Sequence, residues 1–241
     1  MPALEAYSRE LDYSYAPGVF PSMEALLKKP ESVRRLLLSS KAEGSEGAEK
    51  LRALCDQHHI RVEIADKALG RLSGKENCFA AAVFEKKQSD LTGDRHIVLH
   101  HPADSGNMGT ILRTALGLGF RDIAVITPSV DVFSPHVIRS SMGAFFSLRI
   151  HEYSDFADYQ SQYPGHMLFP FMLDGSITLE EGMARAKAPF TLIFGNEGAG
   201  LPPEFSGFGC PIRISHSHEI DSLNLSVAAA IGMYGFSRIG G

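Results

Sequence analysis

A glycine-rich loop with an acid at its centre is the segment of this sequence whose residue types are best suited to chemistry. Residues 192–202 read LIFGNEGAGLP, so an apolar run enters a loop with glycines at 195, 198 and 200 around Glu197. A strand that ends in a glycine-rich turn is typical of a phosphate site, because bare backbone N–H groups bind anions. The carboxylate of Glu197 would repel a phosphate. The loop therefore predicts a ligand that needs close approach to the backbone and tolerates a negative charge.

The spacing of this loop does not fit the two standard nucleotide-binding motifs. A dinucleotide fingerprint needs G-x-G-x-x-G, whereas the order here is G-x-x-G-x-G. A Walker loop needs lysine after its last glycine, and this chain has Leu201 there. The alternative is a plain strand-to-helix turn, ended by Pro202 and Pro203, in which Glu197 caps backbone N–H groups.

A second segment, HHPADSGNMGTILRTALGLG at 100–119, leads from a predicted strand into a predicted helix at 107–120. Asn107 is expected to cap this helix, and Gly109 allows close approach to its first turn. Arg113 follows Asn107 by six residues, so the two side chains do not lie on one stripe of the helix. The alternative is an ordinary N-cap and a surface arginine.

A third segment, ISHSHEIDSLNLSVAAA at 214–230, opens the final predicted helix at 222–238. Asp221 or Ser222 is expected to cap it. Asn224 would then stand in the first turn, where asparagine is disfavoured. The small residues that follow allow another backbone to approach closely. A capped helix that closes the core would explain the apolar residues of this segment but not Asn224.

The pattern of apolar runs indicates the elements that position these segments. Beyond residue 91, apolar runs without polar alternation are separated by helical segments, which predicts a mostly parallel α/β sheet with helices on both faces. Ligands bind such sheets where loops leave the carboxyl ends of strands. The first half alternates shorter strands and helices, and the polar stretch KKQSDLTGDR at 86–95 separates the halves. We therefore predict a small α/β domain at 1–90 and a second domain at 91–241.

Composition narrows the class of protein. The chain has 241 residues and three scattered cysteines, with no apolar N-terminal core and no run long enough to span a bilayer. We expect a cytoplasmic protein without membrane association. The histidine pairs His100-His101 and His216-x-His218 lack helical i, i+4 spacing and a completing cysteine or acid pair, so no metal site is predicted. The net charge of −5 falls wholly in residues 91–241, which argues against a nucleic-acid partner on bulk charge alone.

Taken together, the three segments resemble the three motifs of the SpoU/TrmH branch of the SPOUT RNA methyltransferases. Asn107-Met108-Gly109 with Arg113 resembles the first motif, Gly195 to Leu201 the second, and Ser222 to Ala228 the third. The resemblance covers residues 96–238 and implies a C-terminal trefoil knot. Residues 1–90 resemble the small RNA substrate-binding domain that often precedes this catalytic domain. They depart from it at KENCFAAAV (75–83), where relatives have Asn-His-Gln-Gly.

The resemblance also implies a cofactor and a set of site residues. S-adenosyl-L-methionine carries no phosphate and a cationic sulfonium, which suits a glycine loop beside an acid. Arg113 corresponds to the catalytic arginine and would help to deprotonate a ribose 2′-hydroxyl or stabilise the developing alkoxide; the second role is at least as consistent with an arginine pKa above ~12. Its supporting residues would be Asn107, Glu197, Ser222 and Asn224. The cofactor contacts implied are Leu173, Gly175, Gly195, Asn196, Gly200, Ile214 and Leu223.

The function implied is 2′-O-methylation of RNA, with ribosomal RNA favoured over transfer RNA, by a homodimer whose interface includes the 222–238 helix. Two alternatives remain. A non-catalytic RNA-binding relative with the same fold is mildly favoured by the acidic second half. A dinucleotide-binding α/β enzyme is disfavoured by the glycine spacing.

Overall fold

The computed structural model describes residues 5–73, 78–217 and 219–239. The strands of these residues are, in chain order, β1 (Tyr13–Pro17), β2 (Val33–Leu38), β3 (Arg61–Ile64), β4 (Ala80–Glu85), β5 (Arg95–His100), β6 (Asp122–Ile126), β7 (Arg149–Tyr153), β8 (Met167–Pro170), β9 (Ile177–Thr178), β10 (Phe190–Phe194) and β11 (Ile212–Arg213). The helices are α1 (Val19–Lys28), α2 (Glu46–Gln57), α3 (Asp66–Ser73), α4 (Ser105–Gly117), α5 (Pro135–Ser140), α6 (Phe156–Gln162), α7 (Leu179–Arg185) and α8 (Leu225–Phe236).

These elements form two compact units. The described residues up to Lys87 form the first unit together with Asp131–Ser147, and the other described residues form the second. The sequence predicts instead a single division at residue 90, with 91–241 in one domain. The difference arises because aromatic residues of the 131–147 segment have their packing partners in the first unit. Phe145 and Phe146 lie against Phe84 of β4, with ring centroids 6.0 and 4.9 Å away.

The first unit is built on a four-stranded sheet in the order β1-β4-β2-β3. Its central strand β4 runs antiparallel to both β1 and β2, while β3 pairs parallel with β2 at the edge. Three alanines, Ala80, Ala81 and Ala82, form the first half of β4 and are completely buried. Tyr15, Leu37 and Leu69 pack with this strand to form the core. Strands and helices of the first half thus contribute to one α/β unit, and the segment KENCFAAAV lies partly outside the described residues.

The second unit contains a five-stranded sheet in the order β7-β6-β5-β10-β8, in which every pair is parallel. All residues of β6 and β10 are buried, as expected for strands covered on both faces. Phe236 of α8 packs on Phe169 and Phe190 on one face. Phe156 and Tyr159 of α6 join the core on the other face. The mostly parallel α/β architecture predicted from the apolar runs is confirmed.

The connections of this sheet fix where a ligand site can form. From β5 the chain proceeds through β6 to β7 on one side, whereas β10 and β8 lie on the other side. The loops that leave the carboxyl ends of β5 and β10 therefore diverge from neighbouring strands. Such a switch point leaves a crevice at the edge of the sheet, where ligands of open α/β folds bind.

Buried polar groups tie the opposite ends of the same strands together. His96 of β5 is completely buried; its Nε2 lies 3.0 Å from the Gly93 carbonyl, and its Nδ1 lies 3.0 Å from the Tyr159 hydroxyl. The Tyr159 hydroxyl in turn contacts Thr191 of β10 at 2.6 Å. Burial lowers the pKa of His96 to about 4, so the ring is neutral at pH 7 and can accept one hydrogen bond while donating the other. This network fixes β5 and β10 beside each other.

None of the helices of the described residues has the length and apolar character needed to cross a bilayer.

Candidate functional site

The loops after β5 and β10 meet at the switch point through side chains of the glycine loop. The Asn196 amide donates from Nδ2 to the His101 carbonyl at 2.8 Å. The Glu197 carboxylate accepts hydrogen bonds from the backbone N–H groups of Ala103 and Asp104, at 3.0 and 3.1 Å. The acid at the centre of the glycine loop is therefore engaged by the loop that follows β5. It does not stand alone in a cradle for an anion.

Two asparagines extend this contact to the last segment of the site. Asn107 donates from Nδ2 to Glu197 at 3.2 Å, and its Oδ1 accepts from Nδ2 of Asn224 at 3.1 Å. The Oδ1 atom of Asn224 accepts from the Ser226 backbone N–H at 2.8 Å. The chain Glu197–Asn107–Asn224, called here the carboxylate–amide relay, thus joins all three segments that the sequence singles out.

The caps of both helices differ from the predictions. Asp104, and not Asn107, is the N-cap of α4, and its carboxylate accepts from the Asn107 backbone N–H at 2.7 Å. Asn224, and not Asp221 or Ser222, is the N-cap of α8. Both residues are preferred cap types because a short side-chain oxygen reaches the free N–H groups of the first turn. The cap at Asp104 leaves the Asn107 side chain free to bridge Glu197 and Asn224.

The glycine loop closes on itself tightly. Asn196 and Gly200 exchange two backbone hydrogen bonds, of 3.1 and 2.9 Å, and Gly200 has a left-handed φ of 68°. The Asn196 Oδ1 atom accepts from the N–H groups of Gly198 and Ala199 at 2.9 and 3.1 Å. A Cβ atom on Gly195 would lie 2.2 Å from the carbonyl carbon of Gly200. Glycine at 195 is therefore required by packing of backbone against backbone.

The charge of Glu197 is fixed by its hydrogen bonds. Burial alone would raise the pKa of this carboxyl, but donors from the backbone of Ala103, Glu197 and Asp104 and from the Asn107 amide outweigh burial and hold the pKa below its ordinary value. Glu197 is consequently ionised at neutral pH. An anion held by several donors positions the loop and is poorly suited to exchange a proton during a reaction.

A cavity of about 270 Å³ opens beside the glycine loop. Its walls come from the loop itself, from the turn after β8 and from the segment that precedes α8. The predicted cofactor contacts among its lining residues are Leu173, Gly195, Asn196, Gly200, Ile214 and Leu223, and the predicted catalytic residues among them are Glu197 and Ser222. Apolar side chains, amide groups and the acidic side chains of Asp174 and Glu197 line this cavity, which suits an organic cation better than an anion.

Gly175 has a packing role and does not line the cavity. It is buried, and a Cβ atom there would lie 2.3 Å from the backbone carbon of Ile212. The Met172 N–H also donates to the Ile212 carbonyl at 2.9 Å. Gly175 therefore lets the 172–175 turn pack against β11, which places Leu173 and Ile214 on the cavity wall.

Arg113 is not drawn into the relay. It lies on the exposed face of α4, does not line the cavity, and makes no hydrogen bond or ion pair within the described part of the chain. Asn107 and Asn224 are also absent from the cavity wall, but they reach it through Glu197. The structure thus assembles four of the five predicted catalytic residues around one cavity and leaves a guanidinium available at the surface.

Three contributors to the site were missed from the sequence. Asp104 caps α4, His101 turns the loop with a left-handed φ of 54°, and His216 lines the cavity. The Asp-x-x-Asn spacing of Asp104 and Asn107 is the signal that could have identified the cap, because an N-cap side chain bonds the N–H group three residues on. No comparable sequence signal marks the other two.

The histidines at this edge of the sheet pack as aromatic rings. The ring of His100 lies 4.0 Å from that of His101 and 5.1 Å from that of Phe205, measured between centroids. Burial lowers the pKa of His100 to about 4. Across residues 5–73, 78–217 and 219–239, no group of three histidine, cysteine or acidic residues could hold a metal ion. His218, part of the second histidine pair, lies outside these ranges.

A parallel α/β domain with a glycine loop, a cavity and a capped helix at its switch point defines the class of protein. The chain belongs to the SpoU rRNA Methylase family, whose sequence profile matches residues 94–234. An uncharacterised tRNA/rRNA methyltransferase of Synechocystis sp. is 31% identical over 141 residues, which cover 57% of this chain and 51% of that protein. The chain thus matches about half the length of this relative.

Two further similarities extend over most of the chain. The 23S rRNA (uridine(2479)-2′-O)-methyltransferase of Streptomyces viridochromogenes is 29% identical over 221 residues, which cover 84% of this chain and 75% of that protein. The crystal structure of the SpoU methyltransferase AviRb from the same species, in complex with the cofactor AdoMet, superposes with a TM-score of 0.81. That match has 24% identity and covers 97% of this chain and 94% of the other, so it defines the fold.

Two glycines of the same loop provide a matched test of its geometry. Gly195→Ala should lower the free energy of unfolding by about 1–3 kcal/mol, since the added methyl group meets backbone that cannot move away. Gly198→Ala should change it by less than about 0.5 kcal/mol, because its Cβ would meet only the Asn196 side chain, at 3.6 Å. Urea unfolding of both variants measures the difference. Equal effects would contradict the proposed need for backbone contact at Gly195.

Proposed function

We propose that this protein transfers a methyl group from S-adenosylmethionine to a ribose 2′-hydroxyl of RNA. The carboxylate–amide relay carries the proposal, because it joins three separate segments around a cavity that suits an organic cation. Membership of the SpoU rRNA Methylase family supports the same activity. A dinucleotide-binding enzyme is disfavoured by the glycine spacing and by this family membership.

The cavity residues fit S-adenosylmethionine by their chemistry. The glycine loop presents bare backbone at Gly195 and Gly200, and Leu173, Ile214 and Leu223 supply an apolar wall. The ionised Glu197 favours a cationic ligand electrostatically. When bound, this cofactor would supply a methyl group on a cationic sulfur. AdoMet is bound to AviRb, which shares the fold, and this supports the same assignment here.

Arg113 is proposed to act on the ribose. Its guanidinium is exposed and unpaired within the described residues. A group that receives an incoming substrate must be available in this way. Arginine stays protonated at neutral pH, so it is a poor general base. Its contribution would be to orient the 2′-hydroxyl and to stabilise the negative charge that develops on the oxygen as its proton leaves. Ser222, exposed at the cavity, is proposed to contact the same substrate group.

A homodimer would bring the two halves of this site together. Arg113 does not line the cavity of its own chain, so its proposed role needs a second chain whose Arg113 reaches that cavity. Helix α8 offers a surface for such pairing: it packs on α4, yet Val227 and Tyr234, seven residues apart, are 47% and 64% exposed. A helix that is apolar on all sides is normally buried on all sides.

The fold and the substrate carry two finer proposals. The trefoil knot implied by the resemblance is proposed on the membership of residues 94–234 in the family. Ribosomal RNA is proposed over transfer RNA because the Streptomyces relative is named a 23S rRNA methyltransferase, although the Synechocystis relative is named for both RNAs. The first unit, which holds most of the chain's lysines and arginines, is proposed to bind RNA.

Replacement of Arg113 tests the catalytic proposal. Arg113→Ala should lower tritiated methyl incorporation into ribosomal RNA by about 100-fold or more, the loss expected when one preorganised donor is removed. S-adenosylmethionine affinity by calorimetry should stay unchanged, because the glycine loop and the apolar wall are proposed to hold the cofactor, whereas Arg113 is proposed to act on the ribose. Arg113→Lys should not restore activity, since a point charge cannot replace a planar fork.

The matched control is Arg185→Ala, which removes another exposed arginine near a helix end in the same unit. This variant should keep full activity. Nucleoside digestion should identify a ribose-methylated product. Full activity of Arg113→Ala would contradict the role of Arg113, methyl groups on bases would contradict the reaction, and a wild-type protein that binds S-adenosylmethionine and RNA without transfer would favour the non-catalytic alternative.

Disruption of the exposed face of α8 tests the dimer. Tyr234→Glu should convert the protein from a dimer to a monomer in sedimentation at micromolar concentration, because a carboxylate would be buried without a partner in the interface. Methyl transfer should fall with it, whereas the melting temperature of the monomer should show that the chain still folds. Ala157→Glu, which adds the same charge to the exposed face of α6, should leave a dimer. A wild-type monomer, or a dimeric Tyr234→Glu variant, would disprove this interface.

A further inference from the structure

A second cavity lies in the first unit, away from every residue of the proposed methyl-transfer site. Its volume is about 290 Å³, close to that of the cavity beside the glycine loop. Its walls include Tyr7, Tyr15, Ala68, Arg71, Leu72 and His136. The N-terminal segment, β1, α3 and the start of α5 each contribute at least one of these residues.

The aromatic wall of this cavity is held in place by its own contacts. The Tyr7 hydroxyl donates to the Asp131 carboxylate, and the Lys86 ammonium lies 4.7 Å from the centroid of the Tyr7 ring. The Tyr15 hydroxyl donates to the Glu5 carbonyl at 2.6 Å. Tyr15 is almost completely buried and supports the cavity from below, so the half-buried ring of Tyr7 is the aromatic surface that the cavity offers. Because this ring is already fixed, a ligand is spared the entropic cost of ordering it.

Three polar side chains of the cavity, by contrast, make no hydrogen bond or ion pair within the described residues. Arg71 and His136 are exposed, and neither side chain makes a hydrogen bond or ion pair within the described residues. Glu5, also exposed, brings a carboxylate to the same cavity. The cavity therefore combines one accessible aromatic ring with a guanidinium, an imidazole and a carboxylate, and these three polar side chains remain available to a ligand.

We propose that this cavity binds one unstacked nucleotide of the RNA substrate. The base would pack against Tyr7 and Leu72, the phosphate would pair with Arg71 and His136, and Glu5 would accept from an amino group of the base. Single-stranded RNA is recognised in this way, by aromatic stacking of splayed bases and by arginine contacts to phosphate. The inference rests on the proposed function in that RNA is the partner.

The presence of both basic and acidic side chains in the cavity favours a nucleotide over a phosphate ion or an apolar peptide side chain. A site for phosphate alone would not include the carboxylate of Glu5, which repels anions. A site for an apolar peptide side chain would leave Arg71 buried without a partner when filled, which is unfavourable. A nucleotide has an apolar face, hydrogen-bond donors on the base and an anion at once, so each kind of group in the cavity finds a counterpart.

The test measures binding of two labelled octaribonucleotides to the full chain by fluorescence anisotropy. One octamer has mixed bases, and the other has the same backbone without bases. Arg71→Ala should weaken binding of the mixed-base octamer about tenfold, the loss of one charge-assisted hydrogen bond. Ala68→Leu, which fills the cavity without altering charge, should reduce affinity for the mixed-base octamer to that of the abasic octamer.

Lys67→Ala is the matched control, since Lys67 is exposed on α3 one turn before Arg71 and does not line the cavity. It should weaken binding less than twofold, and circular dichroism should show that all three variants keep the wild-type melting temperature. Equal losses in Lys67→Ala and Arg71→Ala, or an Ala68→Leu variant with wild-type affinity, would reduce the cavity to a nonspecific basic surface. Equal affinity of the wild type for both octamers, or no binding of either, would also overturn the proposal.

Failure of this inference is distinguishable from failure of the proposed function. If Ala68→Leu still methylates ribosomal RNA at saturating RNA and binds the octamers as the wild type does, the nucleotide site is disproved and the proposed enzymatic function stands. If the wild type binds octamers in a base-dependent way that Ala68→Leu abolishes, but transfers no methyl group, the nucleotide site stands and the proposed enzymatic function is disproved.

Discussion

The clamp on the Glu197 carboxylate is the interaction on which the second unit's site depends. Two backbone N–H groups of the loop after β5 and the Asn107 amide converge on this one acid. Each donor would otherwise face the crevice at the switch point without a protein partner, and an anion with several donors is stabilised more strongly than a neutral acceptor. Because Asn107 also accepts from Asn224, the position of α8 follows from the position of the glycine loop. The negative charge in the glycine loop, which would be unfavourable in a phosphate site, thus holds the glycine loop against the loop after β5.

Two glycines near the site, Gly195 and Gly175, permit close contacts between separate stretches of backbone. Gly195 allows the strand end to lie against Gly200, and Gly175 allows the turn after β8 to lie against Ile212. Both contacts bring separate stretches of chain closer than any side chain would allow. The cavity lies between these close backbone contacts, and side chains such as Leu173, Ile214 and Leu223 complete its wall.

The sequence predicts the parts of this arrangement that depend on local pattern. Apolar runs predict the parallel strands, because strands buried on both faces must be apolar throughout. The type and order of Asn107, Glu197 and Asn224 are sufficient to identify three motifs, although not their contacts. The predicted N-caps were wrong, because Asp104 caps α4 and Asn224 caps α8 in the structure. A shift of a few residues in the start of a helix decides which side chain meets its first turn. The packing of 131–147 in the first unit could not be predicted, because its partner Phe84 lies far away in sequence.

A double-mutant cycle on Glu197 and Asn107 tests the central claim most directly. Glu197→Gln keeps the shape of the side chain but removes the charge, and Asn107→Ala removes the bridging amide. If the relay holds the segments together as one unit, the two changes in the free energy of unfolding should differ from additivity by about 1 kcal/mol, as expected for residues in one hydrogen-bonded network. Additivity within about 0.3 kcal/mol would contradict the account, because it would mean that the glycine loop and α4 are stabilised independently.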